Sequence, residues 1–236
     1  MVEKNAVRRS YDEIAEAYAA QRSENGRATQ FLEGFLESLP DSARVLDAGC
    51  GQGTPVLTRL SESTTATAFG VDFSRGQLEL AAANAPGASL VQGDMTTLPL
   101  EAATVDAVVA YWSLIHIPMD DHQAVVDEFA RVLRPGGRLL LCEGTNRWAG
   151  ENPDWLESGV RMEWNIAGAD ATREQLRTAG FEIADEWGVP EELNEEKDAD
   201  DEDADGADAA DEDGDENAGE YPWTFFAARL QPDGND

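Results

Sequence analysis

A strand that runs straight into three closely spaced glycines is the strongest constraint on this chain. Val45-Leu-Asp-Ala-Gly-Cys-Gly-Gln-Gly-Thr reads as a short buried strand, a turn holding Gly49, Gly51 and Gly53, and then a helix over 54–63. Glycine tolerates left-handed backbone and lets a ligand come close to the main chain. The spacing is G-x-G-x-G, and Thr54 stands where the dinucleotide fingerprint needs its third glycine. No Gly-Lys-Ser/Thr occurs, so the triphosphate loop is also missing. Asp47, just ahead of the glycines, would repel a pyrophosphate and suits an ammonium or a hydroxyl. A tight turn with no ligand stays open on these residues alone.

The rest of the chain alternates in the same way. Helical spacing is expected over 10–30, continuing as a second segment to Leu39. Strands are expected over 66–72, 89–92, 107–112, 138–143, 181–188 and 223–230. Helices are expected over 75–85, 121–133 and 171–179, stopped by Pro135-Gly-Gly and by Gly180 in the last two cases. Strands alternating with helices imply βαβ units and a mostly parallel sheet. The final two strands follow one another directly and suggest an antiparallel hairpin at the sheet edge. The expected fold is α/β: a doubly wound, Rossmann-like, seven-stranded sheet with an antiparallel last strand and an N-terminal helical lid.

Between those last strands lies a run with its own composition. Glu191–Glu220 holds 17 Asp and Glu against one Lys, and the whole 236-residue chain carries a net charge of −31. Such a segment cannot bury enough apolar surface to offset its ordering entropy, so it reads as a solvated loop inserted between ordered elements. The expected organisation is a lid over 1–40, a main domain over 41–190 plus 221–231, and the acidic insertion over 191–220. The remaining charge is acidic too, and Lys4 and Lys197 are the only lysines beside 15 arginines. That surface resembles proteins of salt-accumulating halophiles, where high salt screens self-repulsion. The competing reading is recruitment of a basic partner.

The charge argues against nucleic acid as a partner and against anionic membranes. No apolar run is long enough to cross a bilayer, and the N-terminus has no apolar signal core. Two cysteines and two histidines, scattered, offer neither a disulfide scaffold nor a metal site. A cytoplasmic monomer is expected, since like-charged edges repel at low salt.

Two further acids sit at strand ends. Asp72 follows Phe69-Gly-Val and can take both hydroxyls of a ribose; Asp94 follows Val91-Gln-Gly and can accept from an exocyclic amine. Each acid alone is equally a solvated or capping residue. Together with the glycine loop they line one carboxyl edge.

The set Val45-Leu-Asp-Ala-Gly-Cys-Gly-Gln-Gly, Gly70-Val-Asp-Phe-Ser, Gln92-Gly-Asp-Met and Leu133-Arg-Pro-Gly-Gly-Arg resembles the class I methyltransferases that use S-adenosylmethionine, most of all the small-molecule, ubiquinone/menaquinone-type branch. The resemblance covers about Tyr11 to Gly144 closely. It implies that Asp47 lies beneath the methionine amino group and that the backbone of Gly49, Cys50, Gly51 and Gly53 wraps the methionyl part and ribose. Asp72 would take the ribose hydroxyls, Phe73 would flank the adenine, and Asp94 would receive its amine with Met95 beside it. Tyr111 would contact the sulfonium region, and Tyr18 would close over the cofactor from the amino-terminal helix. Tyr11 and Tyr18 are equally readable as core residues at helical spacing.

Methyl transfer chiefly needs alignment of donor and nucleophile, with a base only where the nucleophile must lose a proton. His116 is the candidate catalytic base, with structural hydrogen bonding as its alternative; Glu143 is a weaker second, and His122 reads as surface. Trp155, Met162 and Trp164, in the aromatic-rich stretch 146–165, are expected to grip the acceptor, or else to plug a small core. The function expected is S-adenosylmethionine-dependent methylation of a small-molecule acceptor. The alternative is a silent cofactor-binding module whose acidic loop recruits a basic partner.

Overall fold

The computed structural model describes residues 4–21, 26–62, 65–190 and 221–232. The acidic insertion expected over 191–220 lies outside them. Seven strands form one sheet: β1 (Arg44–Ala48), β2 (Thr67–Asp72), β3 (Ser89–Gln92), β4 (Val105–Ala110), β5 (Leu133–Gly144), β8 (Phe181–Val189) and β9 (Trp223–Leu230). Their spatial order is β3-β2-β1-β4-β5-β9-β8, and β9 runs antiparallel to both neighbours. The remaining pairs are parallel. The order reverses direction between β1 and β4, which opens a crevice at the carboxyl ends of those strands.

Both faces of the central strands are buried, so they read as continuous apolar runs. Alternate residues feed opposite cores. Leu46, Val108, Leu139, Leu141 and Phe226 face α5 (His122–Val132) and α6 (Ala169–Thr178), where Phe129 and Leu176 meet them. Val45, Val109, Leu140 and Phe225 face the other way, toward Leu32 and Phe35 of α2 (Arg27–Glu37) and Leu57 and Leu60 of α3 (Val56–Glu62).

The helix expected over 10–30 is two elements. α1 spans Lys4–Gln21, and α2 starts after Gly26, whose φ of 145° suits glycine. The two helices then part company. α2 belongs to the sheet's core, while α1 lies across α4 (Arg75–Asn84). Asp12 of α1 accepts from Ser74 Oγ (2.7 Å) and from the Gly76 amide (3.0 Å), at the start of α4. Gly76 is needed for that approach, since a Cβ there would meet Asp12 main-chain atoms at 3.1 and 3.3 Å. The two helices of the 1–40 segment thus pack in different places, α2 against the sheet and α1 against α4 and β7 (Val160–Ile166).

Two other expectations need correction. The helix does stop before Pro135-Gly136-Gly137, at Val132, but β5 begins at Leu133 and runs through those residues, ahead of the start expected at 138. Its edge contact with Val105 and a register shift before Ala107 absorb the irregular residues. The stretch 146–165 is ordered as an antiparallel ribbon, β6 (Trp148–Trp155) and β7 (Val160–Ile166), which sequence reading missed because its polar and glycine residues mask the alternation.

Gly70, in the middle of β2, has no room for a side chain. A Cβ would sit 2.7 Å from Leu90 Cδ2, 2.8 Å from Leu57 Cδ1 and 2.9 Å from Cys50 Sγ. Gly70→Ala is expected to cost about 1–3 kcal/mol from overpacking. Chemical denaturation measures it; an unchanged midpoint would mean that these side chains can retreat.

Candidate functional site

At the carboxyl edge the chain leaves β1 in a turn that no other residue type would fit. Gly49 has φ +76°, and a Cβ on it would lie 2.3 Å from Ser113 Cβ. The turn is sewn to β2: the Gly49 and Cys50 amides donate to the Val71 carbonyl at 2.7 and 3.1 Å. The Gly51 amide donates to Asp72 Oδ2 at 2.8 Å, and the Ser74 amide donates to Asp72 Oδ1 at 2.8 Å. Burial pushes the Asp72 carboxyl up to about 6, against the pull of those two amides.

Above the turn lies an open cleft whose empty space, open solvent included, is about 770 Å³. Its wall contains Asp47, Gly49, Cys50 and Gly51 from the glycine turn, and Asp72 and Phe73 from the end of β2. Asp94 and Met95 follow β3, Tyr111 and His116 follow β4, and Tyr18 reaches in from α1. Eleven of the twelve residues expected on the cofactor or as base therefore share one cavity. Gly53 is not on the wall; its position is 3.4 Å from Ala81, so it lets the turn pack on α4. Burial and the nearby Asp47 and Asp72 raise the Cys50 thiol far above its usual range, so Cys50 is no nucleophile.

Asp94 is already engaged. Its Oδ1 accepts from the Thr96 amide and Oγ1, and its Oδ2 accepts from Lys4 Nζ at 2.8 Å. An amine arriving there must share Oδ2 with α1's lysine.

Trp155, Met162 and Trp164 do not line the cavity. Met162 is fully buried with Val7, Tyr11, Ile14 and Val160, in a small core between α1 and the β6–β7 ribbon. The Trp155 ring lies 5.8 Å from Tyr11 and 5.5 Å from Tyr18, and Trp164 lies 6.0 Å from His116. Their place in and around that small core matches the alternative to the acceptor-gripping role.

His116 is neutral and held at both nitrogens. Its Nδ1 lies 3.1 Å from the Glu163 carbonyl, which can only accept, so Nδ1 carries the proton. Nε2 then accepts from the Tyr11 hydroxyl at 2.8 Å. Burial lowers the imidazole to about 4.

Three of the wall residues that sequence reading did not place there stand out. Gln77 is 2% exposed, and neither atom of its amide has a hydrogen-bond partner. Its only signal was its place in the first turn after the capping Ser74, which accepts from the Gln77 amide. Trp112 takes φ +57°, uncommon for a bulky residue, and stacks edge-on to Trp223 at 4.6 Å. Tyr11 was readable only as a helix-face aromatic.

His122 is not at the surface: it is fully buried, as is Glu143. His122 Nε2 donates to the Ile117 carbonyl at 2.9 Å, leaving Nδ1 as an acceptor 3.5 Å from Glu143 Oε2. Neither of those facing atoms has another partner. Burial raises the Glu143 carboxyl to about 8 and lowers the His122 imidazole, so both are neutral at pH 7. Glu143 is not on the cavity wall, which removes it as a base.

Among the described residues no cluster fit for a metal ion occurs, and no helix is long and apolar enough to cross a membrane.

Residues 45–137 match the family described as the methyltransferase domain. The chain is 38% identical over 122 residues to the methyltransferase GfsG of Streptomyces halstedii, covering 48% of this chain and 43% of that protein. It is 27% identical over 189 residues to a tRNA (carboxymethyluridine(34)-5-O)-methyltransferase of Arabidopsis thaliana, covering 76% and 44%. The chain thus spans under half the length of these two relatives. Among solved structures, the [4+2]-cyclase SpnF superposes with a TM-score of 0.67 at 22% identity, covering 97% of each chain.

Glu143→Gln preserves a donor toward His122 and removes the ionisable group. A raised carboxyl keeps its proton in the fold while the unfolded chain loses it above about 4.5. Wild-type stability therefore falls as pH rises from about 5 to 8. The variant is expected to be as stable as wild type at pH 5 and increasingly more stable toward pH 8, by denaturant titration. A constant difference would mean that the Glu143 carboxyl is not raised in the fold.

Proposed function

We propose, starting from a chain that carries the methyltransferase domain of the S-adenosylmethionine-dependent family, that its cavity binds S-adenosylmethionine and presents the methyl group to a small-molecule acceptor. The observation that carries this reading is the unpartnered Gln77 amide on the wall that Asp72 also lines. A buried amide with both ends unpartnered is costly unless a ligand completes it. A carboxylate and an amide on one wall can both hydrogen-bond the hydroxyls of a group such as ribose.

The other residues divide by chemistry. Asp47 and the backbone from Gly49 to Gln52 would hold the methionyl end, with the carboxylate toward its ammonium. Phe73 and Met95 would flank the adenine, and Asp94 would take its amine. Tyr111 and Tyr18 would line the sulfonium side, where aromatic faces favour a cation. The bound group supplies an electrophilic methyl. The chain's part is to align it and exclude water.

A small acceptor is favoured over RNA by charge. One relative's name specifies a tRNA, but a net charge of −31 opposes phosphate contacts. We read the protein as a monomer, because like-charged edges of a strongly acidic chain repel one another at low salt. Cys50 and Cys142 are buried and not joined in a disulfide, which fits a reducing, cytoplasmic setting, and the acidic surface fits high salt.

Calorimetric titration with S-adenosylhomocysteine in molar KCl, with NAD as control, tests this. Saturable binding of the first alone is expected. Asp72→Ala should weaken it about tenfold or more, and Gln77→Ala about fivefold. Affinity should also fall below about pH 6, because protonation of Asp72 removes the acceptor for the diol. Unchanged affinity in both variants would sink the site.

A further inference from the structure

The methyl-transfer reading leaves the charge of the wall unused. Asp47, Asp72 and Asp94 line the cavity, and among the described residues no arginine or lysine does. Lys4, which pairs with Asp94, is not one of the lining residues. His116 adds no positive charge: burial lowers its imidazole to about 4, and both ring nitrogens are engaged. The same wall carries the half-buried rings of Tyr18, Phe73 and Trp112. Trp112 stands there with φ +57°, a conformation bulky residues seldom adopt, its ring packed on Trp223 and Phe225. Backbone outliers of this kind persist only where the surroundings hold them, and they cluster at ligand sites.

We propose that the acceptor is an amine, methylated at a neutral nitrogen, and that the Trp112 ring meets the ammonium so formed. This rests on the methyl-transfer reading. The step balances without a base. The nitrogen lone pair forms the bond to the methyl carbon, and the carbon–sulfur electron pair leaves with sulfur. A sulfonium and an amine become a thioether and a methylammonium. The positive charge moves within the cavity, and no proton is transferred in the step. An amine that arrives protonated gives its proton to water beforehand.

The wall sorts other acceptors by charge. A carboxylate or a phenolate would come to rest among three acids, with no lining cation to receive it. A neutral hydroxyl must give up a proton, and the one histidine on the wall has both nitrogens engaged in an environment that opposes its charge. An ammonium suits both features of the wall. The carboxylates attract it at range, and an aromatic face holds it at contact, indole best of all.

The test uses the whole protein saturated with S-adenosylhomocysteine, in molar KCl so that attraction to the acidic surface is screened. Three naphthyl probes are followed by fluorescence: N-methyl-1-naphthylmethylammonium, the methyl ether of 1-naphthylmethanol, and 1-naphthylacetate. The ammonium is expected to bind about fivefold or more tighter than the ether, and the carboxylate not to saturate. Trp112→Leu removes the ring and is expected to cut that preference to about twofold or less. Trp112→Phe keeps a ring with a weaker pull and is expected to fall between, which serves as the test if the leucine variant does not fold. With labelled S-adenosylmethionine, 1-naphthylmethylamine is expected to take the methyl group in preference to 2-naphthol. Equal affinity of wild type for ammonium and ether overturns the proposal. So do absent binding of the ammonium, preferred transfer to 2-naphthol, or a preference unchanged in the folded variants. Failure of S-adenosylhomocysteine itself to bind would instead overturn the cofactor reading.

Discussion

The stitching of the glycine turn to the end of β2 is the constraint on which the site depends. Backbone amides of residues 49 to 51 donate to the Val71 carbonyl and to Asp72, so the exit from β1 is anchored to its neighbouring strand rather than left as a loop. This anchoring requires positive φ at Gly49 and Gly51, and it requires Ser113 to approach where a Cβ would stand. With the turn in place, Asp47, Asp72 and the wall after β4 converge on one cavity. The buried faces of the sheet on either side hold the strands in register and make that convergence rigid.

The cover is built differently from the base. α1 reaches the site through polar ties: Asp12 to the start of α4, Lys4 to Asp94, and Tyr11 to His116. Behind these ties the ribbon β6–β7 supplies Val160, Met162, Trp155 and Trp164 as a small core of its own. The ion pair at Lys4 is partly exposed and contributes little by itself. The apolar contacts carry the packing, and the polar ties set where α1 sits.

Two buried histidines show how environment divides similar residues. His116 has a phenol on one nitrogen and a carbonyl on the other, and it faces the cavity. His122 has a carbonyl and a carboxylic acid, and it pins the segment after β4 to the end of β5. Both stay neutral because burial opposes charge. Of the two, only His116 lines the cavity.

Local information in the chain determined the strands and helices, the glycine turn and the acids at the strand ends. Backbone requirements at Gly49 and Gly51 and apolar periodicity in β1, β4 and β9 act over a few residues, so they are written in short stretches of sequence. Tertiary structure decided what depends on which distant residues meet. Trp155, Met162 and Trp164 carried an aromatic signal that fitted a binding wall or a small core equally, and only the ribbon's docking on α1 placed them behind the wall. His122 sat among aspartates and looked exposed until the end of β5 brought Glu143 against it. Gln77 and Tyr11 acquired meaning from partners more than a few residues away, or from the lack of one. Proximity of that kind is a property of packing, which no local pattern encodes.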